Sequence, residues 1–548
     1  MNCKSADQKM HNVLLCRSNV LPKPGTYVFW FSITGTVVNL DETTKLPDLA
    51  SRLETAYEAS RNVWWQLGRA MASEPSANCC HAPTGGVYGS DFGLMLAWSR
   101  IIDELKNSPE TILVVCDDAW MFRHLANFAH VQAGKAPNLF WRRIKMIARG
   151  FAARCQVTLR AIQAVISLSH HQQKFKNNAP AMLVYGHPES RIDGHDAYFG
   201  DFLNHAPKLQ RLLHVDCPTN RALELSAHET TLSLHGWGRV SDAFRLLFEY
   251  WRPSKQLCAG RYGWIIRRAA ALENSGGGPA MVRWQMLCQR RFIQISQPNV
   301  IFWPWENFAW ERDLCRAANT TSTRTAGYQH TAIGPHQINY AAFSNPDGGH
   351  SLPDQIIANG PAYKAELLNW GHDKDRVVIG GSWRITERPP CHYNKNGPVF
   401  VPLSGQLSIA RQQIKCAQSL AEHGISVLVK EHPMYPVKFT ETKALKRTAI
   451  GLFNQPSIRA MVFTTGTSGL EALLGGIPAY RLLLDDHISV NILPSGIIIP
   501  SSGIEQIKST LSTPTQPPLI RWDELFSTPE PAFWHNLVMT YTASSGNS

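Results

Sequence analysis

The residue types best suited to bind a phosphate stand together in one stretch near the end of the chain. Residues 464–469 read Thr-Thr-Gly-Thr-Ser-Gly, follow an apolar run that ends at Phe463, and precede a predicted helix that begins at about Ser468. Backbone N–H groups and the positive end of the helix dipole would face a ligand there. The sequence therefore predicts a phosphate site formed by the backbone of Thr467, Ser468 and Gly469. No Lys follows in Walker spacing, so this is not a P-loop.

One carboxylate lies a single turn into that predicted helix. Glu471 could accept hydrogen bonds from two vicinal hydroxyls of a ribose. Alternatively, it could close a capping box with Thr467 or Ser468, and the stretch would then be an ordinary capped core helix. The residues alone leave both interpretations open.

A cation and an imidazole follow another predicted strand upstream, in the order Lys430-Glu431-His432-Pro433. Open α/β sheets bind ligands at the carboxyl ends of their strands, so we expect Lys430 and His432 to face the same crevice as residues 464–469. A single His after a strand is more often an ordinary loop residue. Its combination with the hydroxyl-rich stretch downstream favours a shared anion site.

Parallel strands are needed to hold these groups at one edge. Short apolar runs that end in polar or Gly-containing turns alternate with helical stretches, which is typical of buried parallel strands. The predicted strands are at residues 112–115, 182–186, 300–303, 356–360, 377–380, 399–403, 427–430 and 461–464. Residues 407–423 carry apolar residues at helical spacing before Gly424, and this predicts a right-handed βαβ crossover. The expected fold class is α/β, with two Rossmann-like domains that face a cleft.

The predicted domain boundaries follow composition. A chain of 548 residues is expected to form about two to four domains. Residues 387–397 are rich in Pro, Asn and polar residues and predict a linker. It would separate an N-terminal α/β domain with helical insertions, residues 1–386, from a Rossmann-like domain at 398–525. Residues 526–548 would hold a closing helix and a frayed tail.

The composition is globular, and the charge favours an anionic partner. Hydrophobic residues make up 44% and charged residues 18%, and 54 Lys and Arg against 42 Asp and Glu give a net charge of +12. Such a field suits nucleic acid, phospholipid headgroups or a phosphorylated substrate. The cations are dispersed without a nucleic-acid-binding motif, which disfavours nucleic acid. Residues 141–143 (Trp-Arg-Arg) or 264–268 (Trp-Ile-Ile-Arg-Arg) could contact an anionic membrane, or could equally be buried helix edges.

The spacing of the cysteines and the first residues of the chain indicate the cellular compartment of the protein. The twelve cysteines form no Cys-x-x-Cys pair, which disfavours zinc and iron–sulfur sites and fits reduced thiols. The first residues lack the pattern of a signal peptide, and no window offers about 18 uninterrupted apolar residues. We expect a cytoplasmic protein, at most peripheral to the inner face of the cell membrane.

Two motifs together carry a resemblance to a known group of enzymes. Lys-x-His-Pro at residues 430–433 and Thr-x-Thr-Ser-Gly-x-Glu-Ala at residues 465–472 resemble the donor-binding signature of GT-B-fold glycosyltransferases that act on bacterial surface polysaccharides. That group includes CMP-sugar capsule transferases and CDP-glycerol glycerophosphotransferases. Upstream, Glu306, then Tyr-Gln-His at 328–330, Asn359-Gly360 and Gly-x-x-Arg at 381–384 follow an order similar to that of O-antigen biosynthesis proteins. The resemblance covers roughly residues 295–500.

The resemblance implies a division of roles. Lys430 and His432, in the motif that Pro433 completes, would hold the donor phosphate together with the backbone at 467–469, and Glu471 would contact the ribose. Cationic side chains and a helix end would replace a metal ion, since no Asp-x-Asp motif stands where a metal-dependent GT-A enzyme would need one. No cofactor is implied. The donor would be a nucleotide-activated sugar, with CMP or CDP favoured by the resemblance and UDP or GDP left open.

The opposite wall would supply the acid–base chemistry. His330 resembles the general-base histidine of the glycerophosphotransferases, and imidazole titrates near working pH. Glu306 could orient His330 or act as the base itself. Alternatively, Glu306 could form an ion pair with Arg312 or Arg316 on the next helix. Other candidates rank lower, namely Asp117, Asp118 and His336.

The predicted function is transfer of a sugar or polyol phosphate to a glycan or lipid-linked acceptor. Two alternatives stay open at this point. A nucleotide-sugar epimerase of the same fold could share the phosphate site and the ribose-binding Glu471. A non-catalytic scaffold of a polysaccharide-assembly complex would keep nucleotide binding and lose transfer.

Overall fold

The computed structural model describes residues 12–33, 38–82, 84–432, 435–512 and 520–543. Within these ranges, three sheets of four, seven and six strands form, and their paired strands run parallel. The predicted α/β class is confirmed, because the apolar runs became parallel strands with helices between them. The domain boundaries given above stay a prediction.

The first sheet has the order β2-β3-β1-β4. The strands are β1 (Val13–Cys16), β2 (Phe29–Ser32), β3 (Ile112–Val115) and β4 (Val131–Ala133). The helices of this part are α1 (Leu49–Ala59), α2 (Arg61–Ala72), α3 (Gly86–Gly89), α4 (Phe92–Glu104) and α5 (Ala119–Leu125). Only β3 was predicted from the sequence, since its four residues are all apolar and all buried.

The second sheet has the order β11-β10-β9-β8-β5-β6-β7. The strands are β5 (Ala181–Val184), β6 (Gln210–Leu213), β7 (Thr231–Ser233), β8 (Val300–Pro304), β9 (Arg324–Tyr328), β10 (Gln355–Ala358) and β11 (Val377–Ile379). The helices are α6 (Leu139–Leu168), α7 (His171–Lys174), α8 (Phe202–His205), α9 (Thr219–Leu225), α10 (Val240–Arg245), α11 (Gly263–Asn274), α12 (Gly278–Ser296), α13 (Ala309–Ala318) and α14 (Pro361–Asn369).

The third sheet has the order β14-β13-β12-β15-β16-β17. The strands are β12 (Val399–Pro402), β13 (Val427–Lys430), β14 (Leu445–Arg447), β15 (Ala460–Phe463), β16 (Ala479–Leu482) and β17 (Ser501–Ser502). The helices are α15 (Leu407–Glu422), α16 (Ser468–Leu474), α17 (Ile507–Ser512), α18 (Trp522–Leu525) and α19 (Pro531–Ala543). The predicted crossover is confirmed, because α15 joins the parallel neighbours β12 and β13.

The last helix returns to the second sheet. The Trp534 ring is buried, and its indole N–H donates to the Gly380 carbonyl oxygen over 2.8 Å. Its ring also packs edge-on against Tyr328 of β9 and at a tilt against Phe302 of β8. The end of the chain therefore braces the strands whose carboxyl ends carry Glu306 and His330.

Tryptophan fills much of the interior. The most deeply buried large side chains include Trp64, Trp98, Trp237, Trp251, Trp284, Trp303, Trp305 and Trp534. A buried indole contributes a large apolar area to the core. Much of the high Trp content is therefore explained by packing.

Candidate active site

Glu306 and His330 leave neighbouring strands at the same sheet edge. In the parallel register of β8 and β9, Pro304 lies opposite Tyr328, so the residues two positions further on emerge side by side. The His330 Nε2 and Glu306 Oε1 atoms are 3.8 Å apart, and the side chains are 7% and 29% exposed. This separation is too long for a hydrogen bond, and it leaves the carboxylate available to a bound hydroxyl.

The alternative ion pairs of Glu306 do not form. Arg312 donates to the carbonyl oxygen of Asn307 over 3.0 Å and to the hydroxyl of Ser344 over 2.7 Å. Arg316 pairs with Asp347 at 2.6 Å. The carboxylate of Glu306 is therefore not neutralised by the helix that follows it.

The backbone around Glu306 is held firmly instead. The Glu311 carboxylate accepts hydrogen bonds from the N–H groups of Glu306 and Asn307 over 2.9 and 2.8 Å. Asn307 has a φ of 62°, a left-handed conformation that Asn tolerates better than most residues. Its side-chain amide donates to the Asn339 carbonyl oxygen over 2.9 Å. These bonds fix the direction in which Glu306 leaves the strand.

A tyrosine and an arginine complete the surroundings of His330. The Tyr198 ring packs edge-on against the imidazole with the centroids 5.1 Å apart, and the Arg384 guanidinium lies 5.4 Å from the centroid of the Tyr198 ring. Nδ1 of His330 is buried without a hydrogen-bond partner in the described structure. The sequence interpretation did not single out Tyr198 or Arg384 as site residues.

Burial shifts the pKa values of His330 and Glu306 in opposite directions, and the charge of Arg384 acts on both. Burial, with a smaller contribution from the Arg384 charge, lowers the pKa of His330 to about 3. Burial raises the pKa of Glu306 to about 7, although Arg384 opposes this rise. At neutral pH the imidazole is therefore uncharged, and the carboxyl group is the one that can exchange a proton easily.

The loop after β15 has the predicted form of a strand leading into a helix. Thr467 is the N-terminal cap residue of α16, and the Glu471 carboxylate accepts a hydrogen bond from the Thr467 hydroxyl over 3.2 Å. A Cβ at Gly469 would lie 2.1 Å from the Phe463 ring, so glycine is needed for the helix to pack on the strand end. The Thr467 side chain makes no capping hydrogen bond to the backbone of the helix. Part of this motif therefore serves local packing, while the Thr467 and Ser468 side chains are half-buried.

Lys430 and His432 lie at the same edge of the third sheet. Their strand, β13, is two positions from β15 in the sheet order, or about 10 Å. The His432 imidazole stands over the Cα of Gly405 and lies near the Tyr435 ring, with the centroids 5.4 Å apart. The Lys430 ammonium group lies beside Gly451. Pro433 falls outside the described residues.

One tyrosine from the first part of the chain lies beside the loop of the third sheet. Tyr88 lines a cavity together with Thr465 of that loop, and half of its surface is exposed. Partial burial and, after it, the charge of Glu306 raise the pKa of Tyr88. Nothing in its sequence context, Gly-Val-Tyr-Gly, marks it as a site residue.

Two cavities flank this loop. One, of about 440 Å³, contains Glu471 together with Arg384, Arg388 and Arg521. The Arg388 guanidinium stacks 5.0 Å from the centroid of the Phe453 ring, which lines the same cavity. The other, of about 380 Å³, lies on the side of Thr465 and Tyr88 and also contains Asp91, Asp486 and His487. Three carboxylates, Glu387, Glu471 and Asp523, line the first cavity as well, and Asp523 pairs with Arg521. Arg384 and Arg388 are the guanidinium groups there that could contact a phosphorylated ligand.

The lower-ranked candidates have structural partners. Asp118 caps α5 by accepting from the N–H groups of Trp120 and Met121, and it pairs with Arg268 at 2.9 Å. Asp117 accepts from the Ser18 hydroxyl over 2.6 Å.

His336 is buried far from solvent and bonded on both ring nitrogens. Its Nε2 lies 3.1 Å from a Glu58 carboxylate oxygen, and its Nδ1 lies 3.1 Å from the backbone nitrogen of Asn491. It therefore joins helix α1 to the third sheet and does not face the Glu306 carboxylate.

No known protein family and no curated protein sequence matches the chain. Solved structures do resemble it. The calicheamicin glycosyltransferase CalG4 is 11% identical over 67% of this chain and 99% of its own, with a TM-score of 0.42. The UDP-N-acetylglucosamine 2-epimerase of Methanocaldococcus jannaschii, solved with UDP-GlcNAc and UDP, is 10% identical over 66% and 99%, with a TM-score of 0.36.

The lipopolysaccharide outer core galactosyltransferase WaaB is 10% identical over 66% of this chain and 95% of its own, with a TM-score of 0.33. The parallel strand order of the three sheets by itself shows the α/β class. TM-scores below 0.5 and one-tenth identity assign neither a reaction nor a substrate to the chain.

Proposed function

We propose that the chain is a glycosyltransferase that moves a sugar, or a polyol phosphate, from a nucleotide-activated donor to a glycan or lipid-linked acceptor. The observation that carries the proposal is the position of Arg384, which lines the cavity that contains Glu471 and lies 5.4 Å from the centroid of the Tyr198 ring beside His330. It supports one cleft that holds both a proton acceptor and a phosphate-binding loop. Group transfer from a nucleotide donor needs both.

On the donor side, the phosphate binds at the backbone of Thr467, Ser468 and Gly469, with Lys430 and His432 as additional cations. The ribose hydroxyls bind to Glu471 in the neighbouring cavity of about 440 Å³, a volume within the usual range for a small-molecule site. Negative charge grows on the leaving phosphate as the bond to the sugar breaks. Cations placed there therefore stabilise the transition state more than the bound donor.

On the acceptor side, the Glu306 carboxylate takes the proton of the acceptor hydroxyl. The hydroxyl oxygen forms a bond to the reacting centre of the donor while the bond from that centre to the nucleotide phosphate breaks, and the nucleotide leaves with the electron pair. Uncharged His330 accepts or donates a hydrogen bond at Nε2 and orients the hydroxyl. A pKa of about 7 suits Glu306 to this task.

An epimerase is the second candidate, because the proximity of Glu306 and His330 also suits proton transfer at a sugar carbon. The two functions differ in their need for an acceptor. A transferase releases nucleotide at a rate that depends on acceptor concentration. An epimerase converts the nucleotide sugar without one.

The first test is a thermal-shift titration with CMP, CDP, UMP, UDP and GDP. Ligand binding to the folded state raises the melting temperature. We expect the nucleotides of one base to stabilise the wild type, and the sequence resemblance favours cytidine. The control His423→Ala, at an exposed His of the same sheet unit, should be stabilised in the same way. His432→Ala should lose the shift. If no nucleotide shifts the wild type, the proposed donor site is wrong.

A further inference from the structure

Helix α6 exposes an apolar stripe along its whole length. Apolar residues recur at spacings of three or four, which places them on one helical face. The most exposed of them have between 41% and 71% of their surface accessible, namely Phe140, Ile144, Ile147, Phe151, Leu159 and Ile166, with Trp141 at the edge of the stripe. A surface helix ordinarily turns its polar face outward, so this face lacks a partner in the described structure.

The first three turns project furthest. No residue of α6 before Gly150 is buried. Arg142 anchors this part to the body, because it donates to the Asp117 carbonyl oxygen over 3.0 Å and lies 5.7 Å from the Trp120 ring centroid. The projecting turns are thus held in place while their apolar side chains face solvent.

Exposed aromatic rings also stand on elements that pack against α6. Helix α10 and the short turn Leu246–Phe248 contact α6, and they carry the exposed rings of Phe244 and Phe248.

The charge around the stripe has one sign. From residue 119 to residue 188 the chain contains no Asp or Glu, whereas it contains ten Lys and Arg. On α6 itself, Arg143, Lys145, Arg149 and Arg160 are exposed. Apolar and aromatic side chains flanked by cations match the boundary between the headgroups and acyl chains of an anionic bilayer.

We propose that α6 lies in the plane of an anionic lipid surface and attaches the protein to it. At about 1.5 Å per residue the helix offers a contact line about 45 Å long. A second copy of the chain is a poorer occupant, because a two-fold contact would bring the same cations together. The segment 264–268, the other candidate from the sequence, belongs to the core, since Trp264, Ile265 and Ile266 are buried and Arg268 pairs with Asp91 and Asp118.

Vesicle flotation of the full chain tests the proposal. The probes are vesicles of phosphatidylcholine alone and vesicles that also contain phosphatidylglycerol. We expect the wild type to float with the anionic vesicles at low salt and to be released by high salt. A triple variant Phe140→Gln/Ile144→Gln/Phe151→Gln changes only exposed side chains and should no longer float. Ile498→Gln, at an exposed apolar residue of the third sheet unit, is the control and should float.

A charge series separates lipid from other partners. Arg143→Glu/Lys145→Glu/Arg149→Glu should reduce partitioning by about a hundredfold or more, since each surface cation contributes about fivefold. Lys374→Glu/Lys395→Glu/Lys508→Glu has the same charge change at exposed sites elsewhere and should lose much less. The proposal is overturned if the wild type does not float with anionic vesicles, or if the triple Gln variant floats with them to the same extent as the wild type. It is also overturned if wild type is a dimer that the Gln variant abolishes while neither binds vesicles.

Discussion

The two walls of the candidate site differ in how firmly they are built. Glu306 and His330 stand on neighbouring strands of the second sheet, and Glu311, Asn307 and Tyr198 fix them. Lys430 ends strand β13, His432 follows that strand, and Glu471 lies on the short helix α16; all three are half-buried. A preorganised wall suits proton transfer, whose geometry must exist before reaction. A looser wall suits a donor that must enter and leave.

The largest effect is expected from replacing Glu306, the proposed proton acceptor on the firm wall. Glu306→Gln keeps the shape and removes the base, so the proposed transfer should slow by about a thousandfold. Turnover at saturating donor, together with a nucleotide thermal shift, measures this. Glu229→Gln, at an exposed Glu on the same sheet unit, is the matched control. A loss of less than tenfold with retained binding would show that Glu306 is not the base.

Glu306→Gln should also raise the free energy of unfolding, because folding raises the pKa of Glu306. Between pH 4.5, the ordinary value, and about 7, folded Glu306 keeps a proton that the unfolded chain has released, so stability falls as the pH rises through this window. Above it, the half-buried charge costs about 2 kcal/mol after allowance for its partial exposure.

Glu306→Gln removes that cost. The free energy of unfolding, measured in urea, should therefore exceed that of the wild type by about 2 kcal/mol above pH 7 and match it below pH 4.5. Burial and, in smaller part, the charge of Glu306 raise the pKa of Glu311 to about 8, so the variant also loses this repulsion and the sign of the difference is unchanged. A variant that is less stable than wild type above pH 7 would contradict the raised pKa.

Some features of the fold and of the two walls could be predicted from the sequence, and others could not. Strands such as β12, β13 and β15 were predictable, because strands buried on both faces read as continuous apolar runs. The proximity of Glu306 to His330 follows from the adjacency of β8 and β9. Their roles, and those of the donor residues, stay predictions.

Other features depend on contacts between distant parts of the chain. Tyr88 lines a cavity with Thr465, although it belongs to a part of the chain whose short strands β1, β2 and β4 carry little pattern. The pKa of Glu306 depends on how deeply the folded chain encloses it, which no local motif records. The exposed face of α6 could not be told from a core face by periodicity alone, because both have the same spacing.

Arg384 offers a way to sharpen the comparison, since it acts on the firm wall and also lines the cavity that contains Glu471. Its charge opposes the rise of the Glu306 pKa. Arg384→Met should raise that pKa further, so less carboxylate is present at neutral pH and the rate there should fall by about tenfold. The rate should recover as the pH rises, which a damaged fold would not do. A pH–rate profile that keeps the wild-type midpoint would contradict the proposed influence of Arg384 on the pKa of Glu306.

The smallest effect is expected on the looser wall. Glu471→Gln can still accept the hydrogen bond of Thr467, so the helix start should be kept. Loss of charge toward two ribose hydroxyls should weaken nucleotide binding by about fivefold. Inorganic phosphate has no ribose, so its binding should be unchanged. Thr467→Val removes the local bond instead, and it serves as the matched variant in a calorimetric titration. If Glu471→Gln binds nucleotide as wild type does and only Thr467→Val destabilises the protein, Glu471 is a capping residue and the ribose must bind elsewhere.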